Sequence, residues 1–388
     1  MTLRRVYRFK LEPNSEQTHQ MYQLSGARRF VYNWALERRK EHFEATGKSL
    51  SGAALCLELT QLKKQEATLW LREADSQVLQ QAVKDVDGAF ANFFSKRARF
   101  PRFHSKNKGH FSFRLPQRVK VEGGKVYCPK IGWIKLRQSQ AIDGETKSAT
   151  FKREACGNWL VSLTVEFEMP EVALPEAHNP VGVDMGLKDF ATLSNGEAVA
   201  APRLFRKLEK KLGKAQKRLS RAKKGSGRRQ KARLKVAKVH RKIANSRADF
   251  VHKVSSGLVK RFDHIGIEDL NVKGMSKNHR LSKSVLDAAL GELRRQLEYK
   301  CLWNRVRLVK VSRWFPSSKM CGSCDALNDA LTLSQRTWQC DCGVDNHRDQ
   351  NAAQNILIES MRIAAEGHSE ALNAHGEGVS LATASHFR

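Results

Sequence analysis

Acidic residues are scarce in this chain of 388 residues: 39 Asp and Glu stand against 70 Lys and Arg, a formal net charge of +31. Solubility does not need so large an excess of one sign, so the charge favours a polyanionic partner, with nucleic acid as the first candidate. Long apolar runs are absent too, and none approaches the roughly 18 residues of a membrane span. The first residues alternate in polarity instead of forming an apolar signal segment, so we expect a cytoplasmic protein without a membrane partner.

Cysteines are isolated except in one short segment. Cys56, Cys128, Cys156 and Cys301 stand alone, and a reducing compartment argues against a disulfide framework. The other four, Cys321, Cys324, Cys340 and Cys342, lie within 22 residues as a Cys-x-x-Cys pair and a Cys-x-Cys pair separated by fifteen residues. Four thiolates at this spacing can surround one Zn²⁺ as a tetrahedron with bonds of about 2.3 Å, which predicts a closed structural zinc site. The short second turn weakens the match slightly, and four free thiols are the alternative.

The hydrophobic pattern changes period several times along the chain. Alternation over residues 7–11 predicts a strand, and Asn14 with Gln17 predicts a capped helix, followed by more helical sequence to about residue 94. Short β patterns return from residue 118 to 168, so residues 1–11 and about 105–168 can form one β domain with the helical block inserted into it. Three prolines between residues 168 and 180 predict a domain boundary. Beyond it, Asn195-Gly196 predicts a hairpin, and one helix is expected from about residue 286 to 303.

Two segments are predicted to bind nucleic acid. Between residues 93 and 114, phenylalanines are interleaved with Lys96, Arg97, Arg99 and Arg102, which suits backbone contact and base stacking, although the phenylalanines can equally be core residues. Residues 203–247 hold 20 Lys or Arg and one Glu, so this segment alone contributes +19. Its leucine stripes and the Gly-Ser-Gly at 225–227 predict a basic helical hairpin that lies on phosphates, through residues such as Lys210, Lys214, Lys217, Arg221, Arg228 and Arg229.

Three acidic residues lie at the ends of predicted strands or at the start of a predicted helix, where they can form a catalytic site. Asp184 ends a short apolar strand, between Gly182 and Gly186, which leave room for a ligand near the backbone; Glu268 ends a second strand. Carboxylates on neighbouring strand ends can hold Mg²⁺ or Mn²⁺ ions for phosphodiester hydrolysis. Asp349, in the first turn of a predicted helix, can supply a third ligand. Each acid taken singly is more often a cap or a surface ion pair.

These residues also carry a family resemblance. The segments Gly182–Leu187, Ile267–Leu270 and Cys340–Ile356 resemble the three RuvC motifs and the zinc ribbon of the TnpB family, nucleases encoded by insertion sequences. Phe315-Pro316-Ser317-Ser318-Lys319 and the N-terminal Tyr7–Leu11 resemble it as well, so the likeness spans nearly the whole chain and is most specific in its C-terminal half.

The resemblance implies a multidomain α+β fold. An RNase H-like (RuvC) α/β nuclease domain would comprise residues 179–315 and 345–365, with a zinc ribbon of four cysteines inserted at 316–344. A β-barrel-like wedge domain would comprise residues 1–11 and 105–178 and carry an inserted helical recognition lobe at 12–104. Residues 366–388 lack a sustained apolar pattern and are predicted to be a mobile tail.

The resemblance further implies an RNA-guided DNA endonuclease, with Asp184, Glu268 and Asp349 at the positions of the catalytic carboxylates and Mg²⁺ or Mn²⁺ beside the structural Zn²⁺. One copy would bind a guide RNA derived from the transposon end and cut double-stranded target DNA next to a short motif. Gln77, Gln80 and Gln81 can read that motif, since Gln pairs bidentately with adenine. The alternatives are a guided or nonspecific nucleic-acid-binding protein that does not cut, and a transposase that joins strands.

Overall fold

The computed structural model describes residues 1–106, 111–170, 176–332 and 334–366. It divides into two compact units, Met1–Glu171 and Val172–Arg388. No helix among the described residues is both long and apolar enough to cross a membrane. The tail predicted at 366–388 lies, after residue 366, outside the described residues.

The first unit is built on a seven-stranded sheet in which the N-terminal strand is central. The strands are β1 (Thr2–Glu12), β2 (Ser112–Leu115), β3 (Val121–Glu122), β4 (Lys125–Cys128), β5 (Gly132–Arg137), β6 (Glu145–Arg153) and β7 (Trp159–Glu168), in the order β2-β6-β7-β1-β5-β4-β3. Strand β1 is antiparallel to both β5 and β7. The predicted pairing of the first strand with the later β segment is therefore found. Strands β2 and β3 are the two ends of this order among the described residues, and the barrel-like form of the domain stays a prediction.

The helical block of the first unit packs on this sheet. It contains α1 (Ser15–Thr46), α2 (Gly52–Leu62), a 3₁₀ segment (Glu66–Glu73) and α3 (Ser76–Phe94). The predicted capping box is present: the Asn14 side chain accepts from the Gln17 amide at 2.7 Å, and the Gln17 side chain accepts from the Asn14 amide at 3.2 Å. Side chains from β1, α1 and α3, among them Phe9, Leu36 and Val86, belong to one continuous core. The helices and the sheet thus share their hydrophobic stabilisation.

The second unit contains a five-stranded mixed sheet. Its strands are β8 (Pro180–Asp184), β9 (Asp189–Leu193), β10 (Ala198–Ala200), β11 (His264–Glu268) and β12 (Arg307–Val311), in the order β10-β9-β8-β11-β12. Strands β8, β11 and β12 are parallel, so their carboxyl ends meet at one edge. The Asn-Gly turn predicted between two β runs joins β9 to β10, and Gly196 has a φ of 90°, which such a turn requires.

Helices cover this sheet or extend from it. They are α4 (Leu204–Arg221), α5 (Gly227–Arg261), α6 (Val272–Met275), α7 (Ser282–Ala288), α8 (Leu290–Asn304) and α9 (Arg348–Ala365). The predicted basic hairpin is formed by α4 and α5, although α5 continues to residue 261. The single helix predicted from about residue 286 to 303 is wrong, because Ala289 adopts a left-handed conformation that separates α7 from α8. A small antiparallel pair, β13 (Thr337–Gln339) and β14 (Asp345–His347), precedes α9.

Candidate functional site

The structure brings the three predicted carboxylates to one edge of the second sheet. Asp184 and Glu268 are the last residues of β8 and β11, and the parallel register pairs Val183 with Ile267 immediately before them. Asp349 lies in the first turn of α9, which packs on β8 and β11. The charges of Glu268 and Asp349 both act on Asp184, so the three side chains form one electrostatic group.

Two glycines place α9 close enough to bring Asp349 to this edge. Gly182 and Gly266 are paired across β8 and β11. A Cβ atom on Gly182 would overlap the carbonyl oxygen of Ala353, and one on Gly266 would lie 2.5 Å from Ser360 Oγ. The backbone of α9 therefore occupies the space that side chains would take. The prediction that Gly182 leaves room for a ligand is wrong: the space is filled by this helix. The same prediction is wrong for Gly186, whose Cβ would meet the carbonyl oxygen of Asp189, the first residue of β9, at 2.7 Å.

Asp184 and Glu268 lie in surroundings that disfavour their charged form. Burial and the charges of Glu268 and Asp349 raise the pKa of Asp184 to about 7, against a smaller lowering by Arg348 and Arg336. Burial also raises the pKa of Glu268, although a hydrogen bond from the Ser317 hydroxyl opposes the shift. Buried carboxylates held together against their repulsion are the oxygen ligands that a hard divalent cation prefers.

Asp349 differs from the other two acids because it has a cationic partner. Arg336 Nη1 lies 3.0 and 3.1 Å from its two carboxylate oxygens, and the Arg336 carbonyl accepts from the Arg348 amide at 2.8 Å. Within the described residues, the four cysteines form the one compact group of ligand atoms, and the three acids do not reach that proximity. Sequence reasoning missed Arg336, because nothing in the spacing of the motifs joins residue 336 to residue 349.

The neighbouring acids Asp269 and Asp345 have other surroundings. Asp269 forms ion pairs with Arg313 and Arg294, and the hydrogen bond from Arg313 is the main reason that its pKa is lowered. Asp345 is exposed in β14. These surroundings support the choice of Glu268 and Asp349 among the adjacent acids.

The four cysteines converge as predicted for a zinc site. Their sulfur atoms all lie within 4.8 Å of one another, with Cys321 Sγ 3.8 Å from Cys342 Sγ and Cys324 Sγ 3.5 Å from Cys340 Sγ. A tetrahedron with metal–sulfur bonds of about 2.3 Å has edges of about 3.8 Å, so the thiols lie close to the arrangement that Zn²⁺ requires. The short second turn is closed by the Gly343 amide, which donates to the Cys340 carbonyl at 2.8 Å while Gly343 adopts a φ of 86°.

Hydrogen bonds join the cysteine cluster to α9. The Asn355 side chain donates to the carbonyls of Ser317 and Met320, both at 2.8 Å. Asn351 donates to the Met320 carbonyl at 2.6 Å and accepts from the Gly322 amide at 2.9 Å. The segment between Ser317, which contacts Glu268, and the first cysteine is therefore fixed by the helix that carries Asp349. These asparagines and Ser317 lie in motifs that resemble the family, but their partners were not predictable from the motifs.

The basic residues predicted to bind nucleic acid are mostly at the surface. Lys96, Arg97, Arg99 and Arg102 are exposed, beside Phe94, Phe100 and Phe103, which are also exposed. In the hairpin, Lys210, Lys214, Lys217, Arg221 and Lys235 line a groove of about 570 Å³, and Arg228 is exposed. Arg229 is half-buried and donates to the carbonyls of Leu219 and Ala222, both at 2.9 Å, which closes the hairpin.

The three predicted motif-reading glutamines differ in exposure. Gln80 is exposed on α3, whereas Gln77 and Gln81 are half-buried. The Gln81 amide donates to Asp85 at 3.1 Å, and Gln77 Oε1 is buried without a hydrogen-bond partner. Gln80 is thus the one best placed to meet a ligand, and its reading of DNA stays a prediction.

Profiles of known families match three parts of the chain. A profile described as "Probable transposase" matches residues 162–279, one described as "Cas12f1-like, TNB domain" matches residues 291–356, and one described as "Helix-turn-helix domain" matches residues 1–48. Over residues 1–48 the structure contains one strand, β1, and one long helix, α1. The second profile covers the cysteine cluster and the start of α9.

Relatives match over nearly the full length. A protein from Streptomyces pristinaespiralis named "Putative RNA-guided DNA endonuclease" is 38% identical, over 94% of this chain and 91% of its own. One from Escherichia coli K12 named "Putative RNA-guided DNA endonuclease InsQ" is 36% identical, over 93% of this chain and 94% of its own. A solved structure described as "Cryo-EM structure of the Cas12f1-sgRNA-target DNA complex" has 13% identity and a TM-score of 0.55, over 92% of this chain and 98% of that one.

The structural likeness defines the fold as Cas12f1-like, with mixed α and β content. Proteins named TnpB-like from Acanthamoeba polyphaga mimivirus are 28% identical over 60% of the chain. With the full-length relatives, these matches show that the chain belongs to the TnpB family, as its motifs predicted.

Proposed function

We propose that this protein is a transposon-encoded RNA-guided DNA endonuclease that hydrolyses phosphodiesters at Asp184, Glu268 and Asp349. The observation that carries the proposal is the convergence of three carboxylates, two of them in surroundings that disfavour their charged form, in a chain of net charge +31. The relatives from Streptomyces pristinaespiralis and Escherichia coli bear names of this activity, and the chain covers more than nine-tenths of each.

The three carboxylates would hold Mg²⁺ or Mn²⁺, and Cys321, Cys324, Cys340 and Cys342 would hold Zn²⁺. When bound at the carboxylates, the divalent ions supply water activation and charge stabilisation at the leaving oxygen. The chain's own contribution is positional: Ser317 orients Glu268, and the Gly182 and Gly266 pair brings α9, with Asp349, against the sheet. Arg336 keeps the Asp349 carboxylate oriented through hydrogen bonds to both of its oxygens.

The basic surfaces would hold the nucleic acids through their phosphates. The groove between α4 and α5 is lined by seven cationic side chains within one hairpin, a density that suits a nucleic-acid backbone and carries no base specificity. In RNA-guided effectors, base pairing with the guide reads the sequence, so the protein needs a cationic channel and few base contacts. We assign a guide RNA from the transposon end to this surface.

The first unit would read the motif next to the target. Its sheet, over residues 1–11 and 105–178, would serve as the wedge, and the helices of residues 12–104 as the recognition lobe. Gln80 on α3 is exposed and can pair with adenine. The exposed phenylalanines and arginines that follow α3 offer stacking and phosphate contacts nearby in sequence.

The decisive experiment is guided cleavage. The protein is purified with RNA co-expressed from its own genomic flank and incubated with Mg²⁺ and a DNA library of guide-matched targets with randomised flanks. Cutting that needs RNA, Mg²⁺ and Asp184 is expected, and the cut flanks then give the motif. The control variants are Asp184→Ala, which removes a proposed ligand, and Asp345→Ala, which removes an exposed acid outside the group.

The "Probable transposase" description of the matching profile favours strand joining as a second candidate. Incubation of the same protein with a labelled transposon end and a target plasmid distinguishes the two. An endonuclease yields cut target only, whereas a transposase yields covalently joined products. Joined products that depend on Asp184 would replace the first proposal.

A further inference from the structure

Trp314 is a strongly exposed aromatic side chain that the carboxylate site does not explain. It is 86% exposed, whereas two other surface tryptophans, Trp70 and Trp133, are 43% and 39% exposed. Those two also pack on other rings, since Trp70 contacts Phe30 and Trp133 contacts Tyr127. A ligand that covered this ring would bury about 200 Å² of largely apolar surface, which is a large contact for one side chain.

The backbone under Trp314 is ordered although the ring is exposed. The Phe315 amide donates to the Ser312 carbonyl at 3.0 Å, which closes a turn around Trp314. The Trp314 amide donates to the Ser312 hydroxyl at 3.3 Å, and the Ser317 amide donates to the Phe315 carbonyl at 2.8 Å. The ring therefore projects from a fixed turn, and a ligand that stacks on it would not have to order the backbone first.

This turn is fastened to the carboxylate edge at both ends. Before Trp314, the Val311 carbonyl accepts from the Asp269 amide at 3.0 Å, and Arg313 forms an ion pair with the Asp269 carboxylate. After it, the Ser317 hydroxyl donates to Glu268. Because successive Cα atoms are about 3.8 Å apart, the Cα of Trp314 lies at most about 11 Å from that of Ser317. The turn that carries Trp314 is thus attached to Glu268 and to the adjacent Asp269.

We propose that Trp314 is a stacking platform for an unpaired nucleobase of the strand that enters the carboxylate site. The inference rests on the proposed function and deepens it. A base is the ligand that suits a single flat ring flanked by the exposed polar Ser312 and Arg313, in a chain of strongly positive charge. A protein partner would need a wider apolar patch, and the neighbouring Phe315 is half-buried.

Stacking here would fix the strand without reading its sequence, because every base has a π-face. The base on Trp314 would hold the adjoining phosphates in place relative to Glu268, so the ring would influence both strand capture and the position of the cut. Trp314 would act as a substrate-binding residue and take no part in proton transfer.

The test compares Trp314→Leu, which keeps an apolar side chain without a π-face, with Trp314→Phe, which keeps an aromatic ring. The RNA-bound complex is prepared in the Asp184→Asn background, so that the strand stays intact, and is mixed with target DNA carrying 2-aminopurine at one position at a time around the cut. We expect fluorescence quenching at one or two adjacent positions, retained with Phe and lost with Leu. Equal quenching by the Leu variant would overturn the proposal.

A kinetic experiment compares the Trp314→Leu and Trp314→Phe variants in protein that retains Asp184. We expect kcat/KM for cutting to fall about 5- to 150-fold with Trp314→Leu and to recover with Trp314→Phe. An abasic nucleotide at the quenched position should slow the wild type by a similar factor and leave the Leu variant unchanged. If the abasic nucleotide slows both equally, the stacking contact is refuted. Quenching by Trp314 in a protein that never cuts would refute the nuclease function and still support the platform.

Discussion

Asp184 carries a buried carboxyl group whose ionisation suits metal binding but destabilises the fold. Its pKa is about 7 when folded, because of burial and the neighbouring acids, whereas an unfolded Asp titrates near about 3.9. Between these two pKa values the Asp184 carboxyl is protonated in the folded state and ionised in the unfolded state. The free energy of unfolding therefore falls as pH rises from about 4 to 7, and it stays lowered above pH 7. A carboxylate that destabilises its own fold is typical of a ligand site.

We therefore expect Asp184→Asn to be more stable than the wild type in buffer without added divalent cations. The increase in Tm should be several degrees at pH 8 and smaller at pH 5, because the wild-type carboxyl is already protonated in the fold at pH 5. Added Mg²⁺ should raise the Tm of the wild type more than that of the variant. Differential scanning calorimetry at the two pH values tests this, and a pH-independent difference between the proteins would contradict it.

Ser317 is the second residue with a separable role, because it touches Glu268 but carries no charge. Replacing it with Ala removes a donor to a buried carboxylate, a bond worth about 1.5 to 3 kcal/mol. We expect Ser317→Ala to slow guided cutting about 10- to 150-fold while guide RNA binding stays unchanged. Single-turnover cleavage measures the rate of guided cutting, and filter binding measures the affinity for guide RNA. The matched control is the adjacent, half-buried Ser318→Ala, and equal slowing by both variants would exclude a specific role for Ser317.

At the scale of elements, the contact between α9 and the sheet depends on glycine. A methyl group on Gly182 would meet the Ala353 carbonyl and lie 2.6 Å from the Leu357 amide nitrogen, both backbone atoms that cannot move aside. We expect Gly182→Ala to lower the Tm by several degrees or more, through displacement of α9. Gly213→Ala is the control: its Cβ would meet nothing within 4 Å in α4, so helix propensity should raise the Tm slightly. Equal shifts in the same direction would contradict the packing argument.

The cysteine cluster is an element that the metal should hold together. We expect Cys321→Ser with Cys324→Ser to lose zinc and cutting together, because two thiols cannot complete a tetrahedral site. Metal content by mass spectrometry and guided cleavage are the two measurements. Cys56→Ser, a half-buried cysteine outside the cluster, is the control. Full zinc occupancy in the double variant would refute the assignment.

The elements were predictable from sequence to different degrees. The strands ending at Asp184 and Glu268, the Asn-Gly hairpin and the helix at Asp349 follow from local pattern and turn chemistry. The break at Ala289 did not follow, because a left-handed alanine has no local sequence signal and is held by its surroundings. The partners Arg336 and Ser317 are long-range contacts, fixed by how the cysteine segment packs on α9. Gly182 was misread because the helix that fills its space comes about 170 residues later.

At the scale of the whole molecule, the charge predicts how binding responds to salt. The affinity for nucleic acid should fall steeply as salt rises, since each neutralised phosphate releases counterions. Replacing Lys214, Lys217 and Arg221 with Ala should make the slope of log K against log salt shallower by about 2 to 3. Fluorescence anisotropy with the guide RNA at several salt concentrations measures it. Lys253→Ala is the control, because Lys253 already forms an ion pair with Asp249 on α5, and it should change the slope little. If Lys253→Ala made the slope as shallow as the triple variant does, binding specifically in the groove would be contradicted.

The distribution of the three carboxylates over the chain also determines when the site comes into existence. Asp184 and Glu268 precede the cysteine segment, and the helix bearing Asp349 begins 80 residues after Glu268. A ribosome adds about 5 to 20 residues per second, so this interval takes about 4 to 16 s. A nascent or prematurely terminated chain that lacks α9 has the first sheet and most of the cationic surface but an incomplete set of acids. If the proposed function holds, such translation products would bind nucleic acid before they could cut it.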